Sequence, residues 1–508
     1  MTEYFLLYIF LLYFNIGCGQ NDNKYEANAN KEKYPAYIKT EKNFIEYRNH
    51  KIIEKLSESW NKVNSTFVVA HFGDSHVQPD YFSGTVRKKF QSIKGDAGRG
   101  LVFPYSIAKT YSQSDYTSSF EGKWATGNSI QIPPRLPVGV SGFAAHTKDL
   151  NAAFSFSFKT PFSEGEKTLK VYCDKNNCGY TMTVKSEEEV HEIDLDNYSE
   201  KNPFVKVNFK ILGKNITFKL TKKTTDDSEF KLYGVSIENK TTGVLYHNLG
   251  VGGACFSALN YQKFFEKEFP YLNADLVICD WGGNDFMYKN RIEPELEEIM
   301  IQTIKKIRKV NPDAVILFPS AQDINKKGKN VTAAKKYAAL ARKVALENDC
   351  LFYDWYVISG GPRSMFKWSA DGIAGKDNVH LNAKGYKLKG ELFTEAFLNT
   401  LDQAKAKKSD QSLILDNDSF YVQDSSDLNE LVIDTPKKEK VVINKNEAKS
   451  NKKKNNTVLA GKTYKVKKGD TLSSISRKFG VPVATIKKRN KVKGNNIKIG
   501  QILVLTDS

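Results

Sequence analysis

The strongest constraint on this chain is that its hydrophobic period changes twice along its length. Thr66-Phe67-Val68-Val69-Ala70-His71-Phe72 is a nearly unbroken apolar run, the pattern of a strand covered on both faces. Phe82, Val86, Phe90 and Ile93 then fall at helical spacing. From about 111 to 240 the period becomes two. Ala153-Phe154-Ser155-Phe156-Ser157-Phe158 alternates strictly, and Thr168 to Tyr172, Tyr180 to Val184, Phe204 to Ile211, Ile216 to Leu220 and Phe230 to Ile237 alternate more loosely. Short alternating strands at regular spacing predict a β-sandwich. After 250 the helical rhythm returns. Strand Asp275 to Cys279 precedes a helix using Leu296, Ile299, Met300, Ile304 and Ile307, followed by strand Ala314 to Phe318, an alanine-rich helix from Val331 to Glu347, strand Cys350 to Tyr353 and a last helix from Asn382 to Leu401. Strands alternating with amphipathic helices predict a parallel sheet with helices on both faces. The simplest account is one α/β domain over 41–110 and 241–402, interrupted by an inserted β module over 111–240.

A chain of 508 residues is too long for one compact core. Its 40% hydrophobic and 12% aromatic content excludes wholesale disorder. The formal net charge of +18 suits an anionic surrounding, but no nucleic-acid motif accompanies it, so an acidic envelope polymer is the better partner class. Tyr4 to Phe14 is an apolar run too short to span a bilayer and reads as a signal-peptide core. Gly17 before Cys18 resembles a bacterial lipoprotein cleavage site, which makes 1–18 a leader, Cys18 the acylated residue and 19–40 a polar tether; a plain secretory signal is the alternative. Cys173 and Cys178 flank a turn and could pair in an oxidising compartment, whereas Cys255, Cys279 and Cys350 read as buried thiols. Zinc-site spacings are absent, and no metal or organic cofactor is implied. Residues 403–461, acidic and then rich in Lys and Asn, read as a linker.

Four short segments carry the chemistry: Gly73-Asp74-Ser75-His76, Gly250-Val251-Gly252-Gly253, Gly282-Gly283-Asn284-Asp285 and Asp377-Asn378-Val379-His380. They supply a serine, two kinds of oxyanion donor, and a carboxylate three residues before a histidine, the parts needed to attack an ester carbonyl with a hydroxyl. Strand, tight turn and helix in succession predict Ser75 at a helix N-terminus, where a developing anion is favoured. Asp74 and His76 fit a structural hydrogen-bonding role as well as a catalytic one.

In order, these segments resemble the conserved blocks of the SGNH (GDSL-like) hydrolases over roughly residues 60 to 400. The resemblance implies a three-layer α/β/α, flavodoxin-like catalytic domain, with Ser75 as nucleophile, His380 as general base and Asp377 orienting the imidazole. It implies an oxyanion hole of the Ser75 N–H, the Gly253 N–H and the Asn284 amide. Gly73-Asp74-Ser75-His76-Val77-Gln78-Pro79-Asp80-Tyr81-Phe82, with Asp96-Ala97-Gly98-Arg99-Gly100 downstream, looks like the peptidoglycan O-acetylesterases of Gram-negative bacteria, which carry a β module between the serine block and the next glycine block. Gly283 departs from the Thr usual in the wider superfamily, at a position that supplies no catalytic atom.

At the C-terminus, Tyr464 to Leu472, Ile475, Phe479-Gly480-Val481, Ile486, Asn490, Ile497 and Gly500-Gln501-Ile502-Leu503 resemble a LysM domain, a small βααβ unit over 462–506. That family binds N-acetylglucosamine-containing glycans in a groove, here implied around Gly469, Asp470, Thr471, Asn496 and Ile497. The combined expectation is an exported esterase that removes O-acetyl groups from peptidoglycan. Alternatives are an esterase acting on another acetylated polysaccharide, an acetyltransferase whose acyl-enzyme passes acetyl to sugar instead of water, and a non-catalytic peptidoglycan-binding lipoprotein.

Overall fold

The computed structural model describes residues 33–406 except Asn177, then 411–417 and 421, and in the C-terminal part 463–466, 472–479, 481, 483–490, 492 and 497–505. Cys18, Gly469, Asp470, Thr471 and Asn496 lie outside the described residues.

The sheet of the α/β domain contains β1 (Ile45–Glu46), β2 (Phe67–Gly73), β3 (Val244–Gly250), β4 (Leu276–Asp280), β5 (Val315–Pro319) and β6 (Leu351–Tyr353). In space the order is β1-β6-β5-β4-β2-β3, parallel throughout except for β1 on the edge. The five parallel strands therefore follow the 2-1-3-4-5 order of flavodoxin-like folds, with the topological switch at β2. Alternate residues of each strand enter separate cores. Phe67, Val69, Leu276, Ile278, Val315 and Leu317 pack under α1 (His50–Asn61), α2 (Phe82–Lys94) and α5 (Ala383–Ala406). Ala70, Phe72, Val277, Cys279, Ile316 and Phe318 pack under α3 (Leu296–Val310) and α4 (Ala333–Glu347). On the first face Trp60 holds the rings of Phe67, Phe90 and Phe397 at 4.9–5.1 Å between centroids. Burial of one such side chain contributes about 1.5–3 kcal/mol, so this aromatic knot stabilises the end of β2 remote from Ser75.

The inserted region forms two antiparallel sheets. One runs 189–194, 180–186, 215–222, 151–158 and 116–121; the other runs 204–209, 167–173, 230–239, 143–147 and 125–128. The strict alternation at Asn151–Phe158 is realised as Phe154, Phe156 and Phe158 turned inward, with Phe154 stacked on Phe218 at 4.5 Å.

Several expected boundaries move. Gly98–Val102, assigned from sequence to the α/β domain, pairs with Phe230–Asn239 and so extends the second β sheet. Residues 33–40 are packed rather than tether-like: Tyr34 and Ile38 are buried, and the Tyr34 hydroxyl bonds Glu395 Oε1 at 2.6 Å. The start of the expected linker is also packed. Leu413 bridges Tyr47, buried Asn417 donates to Asp354 Oδ2 at 2.9 Å, and the Tyr421 hydroxyl donates to the same oxygen at 2.5 Å. The apolar stripe of α2 ends at Phe90, because Ile93 is 52% exposed. Cys173 and Cys178 are buried free thiols, and Cys255 is half-buried.

The C-terminal unit, taken by itself, pairs Thr463–Lys465 antiparallel with Ile502–Val504 around helices Leu472–Phe479 and Val483–Arg489. Val466, Leu472, Ile475, Ile486, Leu503 and Leu505 form its core, and Ile497 packs against them. Asn490 staples helix to strand: its Nδ2 donates to Ile486 and Val504 carbonyls, and its Oδ1 accepts from the Val504 N–H at 2.7 Å.

Candidate active site

Strand register brings the glycine blocks together. Gly73 pairs with Gly250 on one side and with Asp280 on the other, so the Ser75, Gly253 and Asn284 segments all leave the carboxyl ends of neighbouring parallel strands, where open α/β sheets bind ligands. Ser75 does not sit at a helix N-terminus as expected. α2 begins only at Phe82, because Pro79 disfavours helix at Gln78 and Asp80 takes a left-handed φ of 63°. Ser75 instead occupies a turn in which the Val77 and Gln78 N–H groups donate to the Asp74 carbonyl.

The Ser75 hydroxyl lies 2.7 Å from His380 Nε2, and His380 Nδ1 lies 2.6 Å from Asp377 Oδ2. With the Nδ1 proton donated to the carboxylate, Nε2 is left to accept from the serine. Asp377 Oδ1 also accepts from the Val379 and His380 N–H groups at 3.1 and 3.0 Å, so the acid is oriented within its own loop. Burial raises the Asp377 pKa, but these hydrogen bonds, led by that from the His380 N–H, outweigh it and hold the carboxyl below its ordinary value.

Among the described residues neither the Ser75 nor the Gly253 backbone N–H donates a hydrogen bond to the protein. Gly253 has a φ of 88°, strained for any residue with a Cβ. The Asn284 amide is brought to the same place but is engaged: Nδ2 donates to Asp74 Oδ2 and to the Ala254 carbonyl, each at 3.1 Å. An oxyanion accepting from Asn284 must compete with one of those two bonds. Asp74 Oδ1 accepts from the His76 N–H at 2.9 Å, and His76 Nδ1 meets the Tyr386 hydroxyl at 2.7 Å. The His76 ring lies 4.9 Å from that of His380. Both neighbours of Ser75 thus hold parts of the site. Burial pushes the Asp74 carboxyl up to about 7 and that of Asp285 up to about 8.

Beneath the serine turn lies an ion network that pattern reading did not identify. Buried Asp80 accepts from Ser83 Oγ at 2.7 Å, Arg87 at 2.7 and 3.1 Å, Arg99 at 3.2 Å and Asn248 at 3.0 Å. Arg99 continues to Asp115 at 2.6 Å and to Gln113. Burial would raise the Asp80 pKa; Arg87 and then Arg99 outweigh it and hold that carboxyl well below the usual range. Asp80 and Arg99 stand inside the two quoted motifs, so the motifs contained the signal but not the pairing. A second missed group, buried Lys389 on α5, lies 3.3 Å from Asp280 and 4.3 Å over the Phe82 ring.

Residues 217–388 match the GDSL-like Lipase/Acylhydrolase family model, and residues 464–506 match the LysM domain. The first match begins beyond Ser75, which the inserted strands separate from the remaining blocks. A solved structure of a peptidoglycan O-acetylesterase aligns with a TM-score of 0.59 and 22% identity, covering 70% of this chain and 99% of its own; at that identity the likeness carries the fold. A probable N-acetylmuramidase of Lactococcus lactis subsp. lactis (strain IL1403) is 56% identical over 46 residues, 9% of this chain and 10% of that protein. The N-acetylmuramoyl-L-alanine amidase XlyA of Bacillus subtilis (strain 168) is 49% identical over 45 residues, 9% of this chain and 15% of that protein. The chain thus spans a small fraction of the curated relatives it matches.

Proposed function

We propose that this chain is an exported serine esterase that removes O-acetyl groups from peptidoglycan, with its LysM module holding it on the glycan and Cys18 as a lipid anchor. The observation that carries the chemistry is the continuous hydrogen-bonded line from Ser75 Oγ through His380 to Asp377, with two unengaged N–H donors on adjoining turns.

His380 takes the Ser75 proton as the hydroxyl attacks the acetyl carbonyl, and Asp377 steadies the imidazolium. The tetrahedral oxyanion accepts from the Ser75 and Gly253 N–H groups, joined by Asn284 once its amide turns from Asp74 or Ala254. Its collapse expels the sugar alkoxide, which takes the proton from His380. Water, deprotonated by the same imidazole, then hydrolyses the acetyl-enzyme. Tethering a glycan-binding module to an esterase raises the local concentration of acetylated sugar without any added contact. Among the described residues no helix is long and apolar enough to cross a membrane, which leaves membrane attachment in this reading to the anchor.

The test is acetate release by the purified full chain from a small activated acetyl ester and from O-acetylated peptidoglycan. Ser75→Ala is expected to lower both by about 10⁴-fold or more; unchanged release from the small ester refutes the mechanism. Activity on the small ester and on acetylated xylan, with none on peptidoglycan, transfers the substrate to another polysaccharide.

A further inference from the structure

Tyr111 stands out beside the serine turn because its backbone is locked while part of its ring stays exposed, its hydroxyl end being packed closely enough for burial to push its pKa up. It is 46% exposed, and its hydroxyl makes no hydrogen bond among the described residues. That hydroxyl presses on Gly252, where an added Cβ would overlap it. Gln78, 1% exposed, fixes the arrangement: its Oε1 accepts from the Gly252 N–H at 2.6 Å and its Nε2 donates to the Tyr111 carbonyl at 2.8 Å. The Ser114 N–H donates to the Pro79 carbonyl at 2.8 Å, a second clamp on the same segment. On the next residue of the glycine turn, a Cβ added to Gly253 would lie 3.6–4.0 Å from the Ile130 side chain. Ile130 is 42% exposed and is delivered from the turn that follows strand Ala125–Asn128 of the inserted region.

An exposed aromatic ring and an exposed isoleucine thus flank the turn that offers the Gly253 N–H. Exposed side chains are common on any surface, but at this place each exposes apolar area that a bound ligand would remove from water. A tyrosine, with an apolar face and a polar tip, suits a pyranose, whose axial C–H face is apolar and whose rim carries hydroxyls. We propose that Tyr111 is the specificity-determining residue for the acetyl-bearing sugar, its ring under the pyranose face and its hydroxyl on a ring substituent, with Ile130 closing the opposite flank. The proposal rests on the esterase reading and extends it to the sugar. Gln78 is then a positioning residue: it ties the platform to the same turn as the oxyanion donor, so sugar and carbonyl are held in one frame.

The experiment compares kcat/KM for O-acetylated peptidoglycan with that for the small activated acetyl ester in wild type, Tyr111→Phe, Tyr111→Leu and Tyr111→Ala. The polymer-to-ester ratio is expected to fall by about tenfold or more in Tyr111→Ala and Tyr111→Leu, mostly through KM. Tyr111→Phe should recover most of it, because the ring remains. Tyr111→Leu guards against loss of folding, with thermal melting measured alongside. A ratio within about twofold of wild type in the Leu variant, or an equal loss on both substrates, overturns the role of Tyr111 while leaving the esterase standing. A wild-type enzyme inactive on every acetylated polymer overturns both.

Discussion

The two halves of the candidate site are held in opposite ways. The serine half rests on long-range buried contacts: Asp80 joins its own turn to α2, to Arg99 and to Asn248 of β3, and Arg99 reaches Asp115. The histidine half is a surface loop. The side chains of Asp377 and His380 are 52% and 35% exposed, and among the described residues every hydrogen bond to the Asp377 carboxylate comes from the next three residues. The Ser75, Gly253 and Asn284 segments are therefore set by the whole fold, whereas the Asp377 carboxylate is held within its own loop. That loop is tied to the fold through its backbone: buried Gln322 Nε2 donates to the Val379 carbonyl at 2.8 Å and the Asn325 N–H to the Asn378 carbonyl at 3.0 Å. This division implies that damage to the ion network under the serine turn is read mainly as lost stability, and damage to the Asp377–His380 pair mainly as lost rate.

Asp377→Asn tests the second statement and carries the largest effect short of removing the Ser75 hydroxyl itself. The amide cannot hold the imidazole in the required tautomer, a change that costs about 10⁴-fold where the acid is fully buried. With Asp377 half in water, about 10³-fold in kcat/KM is expected, measured on the small ester. The melting temperature should stay within about 2 °C of wild type; a larger drop would show that this loop supports the fold after all. Arg99→Met tests the first statement. It leaves Asp80 and Asp115 short of a buried partner, for a loss of about 3–5 kcal/mol in unfolding free energy by denaturant titration. If the variant instead melts like wild type but loses its rate, the network serves alignment and the contrast between the halves collapses.

The smallest effect is in pH. The folded Asp377 pKa lies below its ordinary value of about 3.9, so the stability this group contributes is present above that pH and is lost as pH falls through the folded value. Melting curves between about pH 5 and 2 should show a slightly steeper acid loss for wild type than for Asp377→Asn. Superimposable curves would mean that solvent already satisfies the carboxylate.

The sequence made the sheet and the four blocks legible for a physical reason. Buried parallel strands must be apolar on both faces, as at Phe67–Phe72, and three of the four blocks leave such strands as glycine-rich turns, whereas Asp377–His380 was legible from its Asp-x-x-His spacing. The gaps are equally instructive. The helix expected at Ser75 was displaced to Phe82 by Pro79 and the left-handed Asp80, a signal present in the sequence but overridden by the strand-turn-helix pattern. Residues 19–40 read as tether from their lysines and asparagines, yet Tyr34 and Ile38 bury against the domain; isolated aromatics in a polar run were the clue. Gly98–Val102 gives no hint of its partner, because pairing with Phe230–Asn239 joins residues far apart in the chain. Side-chain clamps such as Gln78 on Gly252 have no periodicity at all and appear only with coordinates.

The exchange of backbone hydrogen bonds between Tyr47 and Leu413, both at 3.0 Å, with the Leu415 N–H on Glu46 Oε2 at 3.0 Å, has a topological consequence. Entry to and exit from the α/β domain meet at the β1 edge, so its backbone is nearly a closed ring. Such a ring can be spliced into a host polypeptide, or opened at another surface turn, without moving the strand ends that carry Ser75, Gly253 and Asn284.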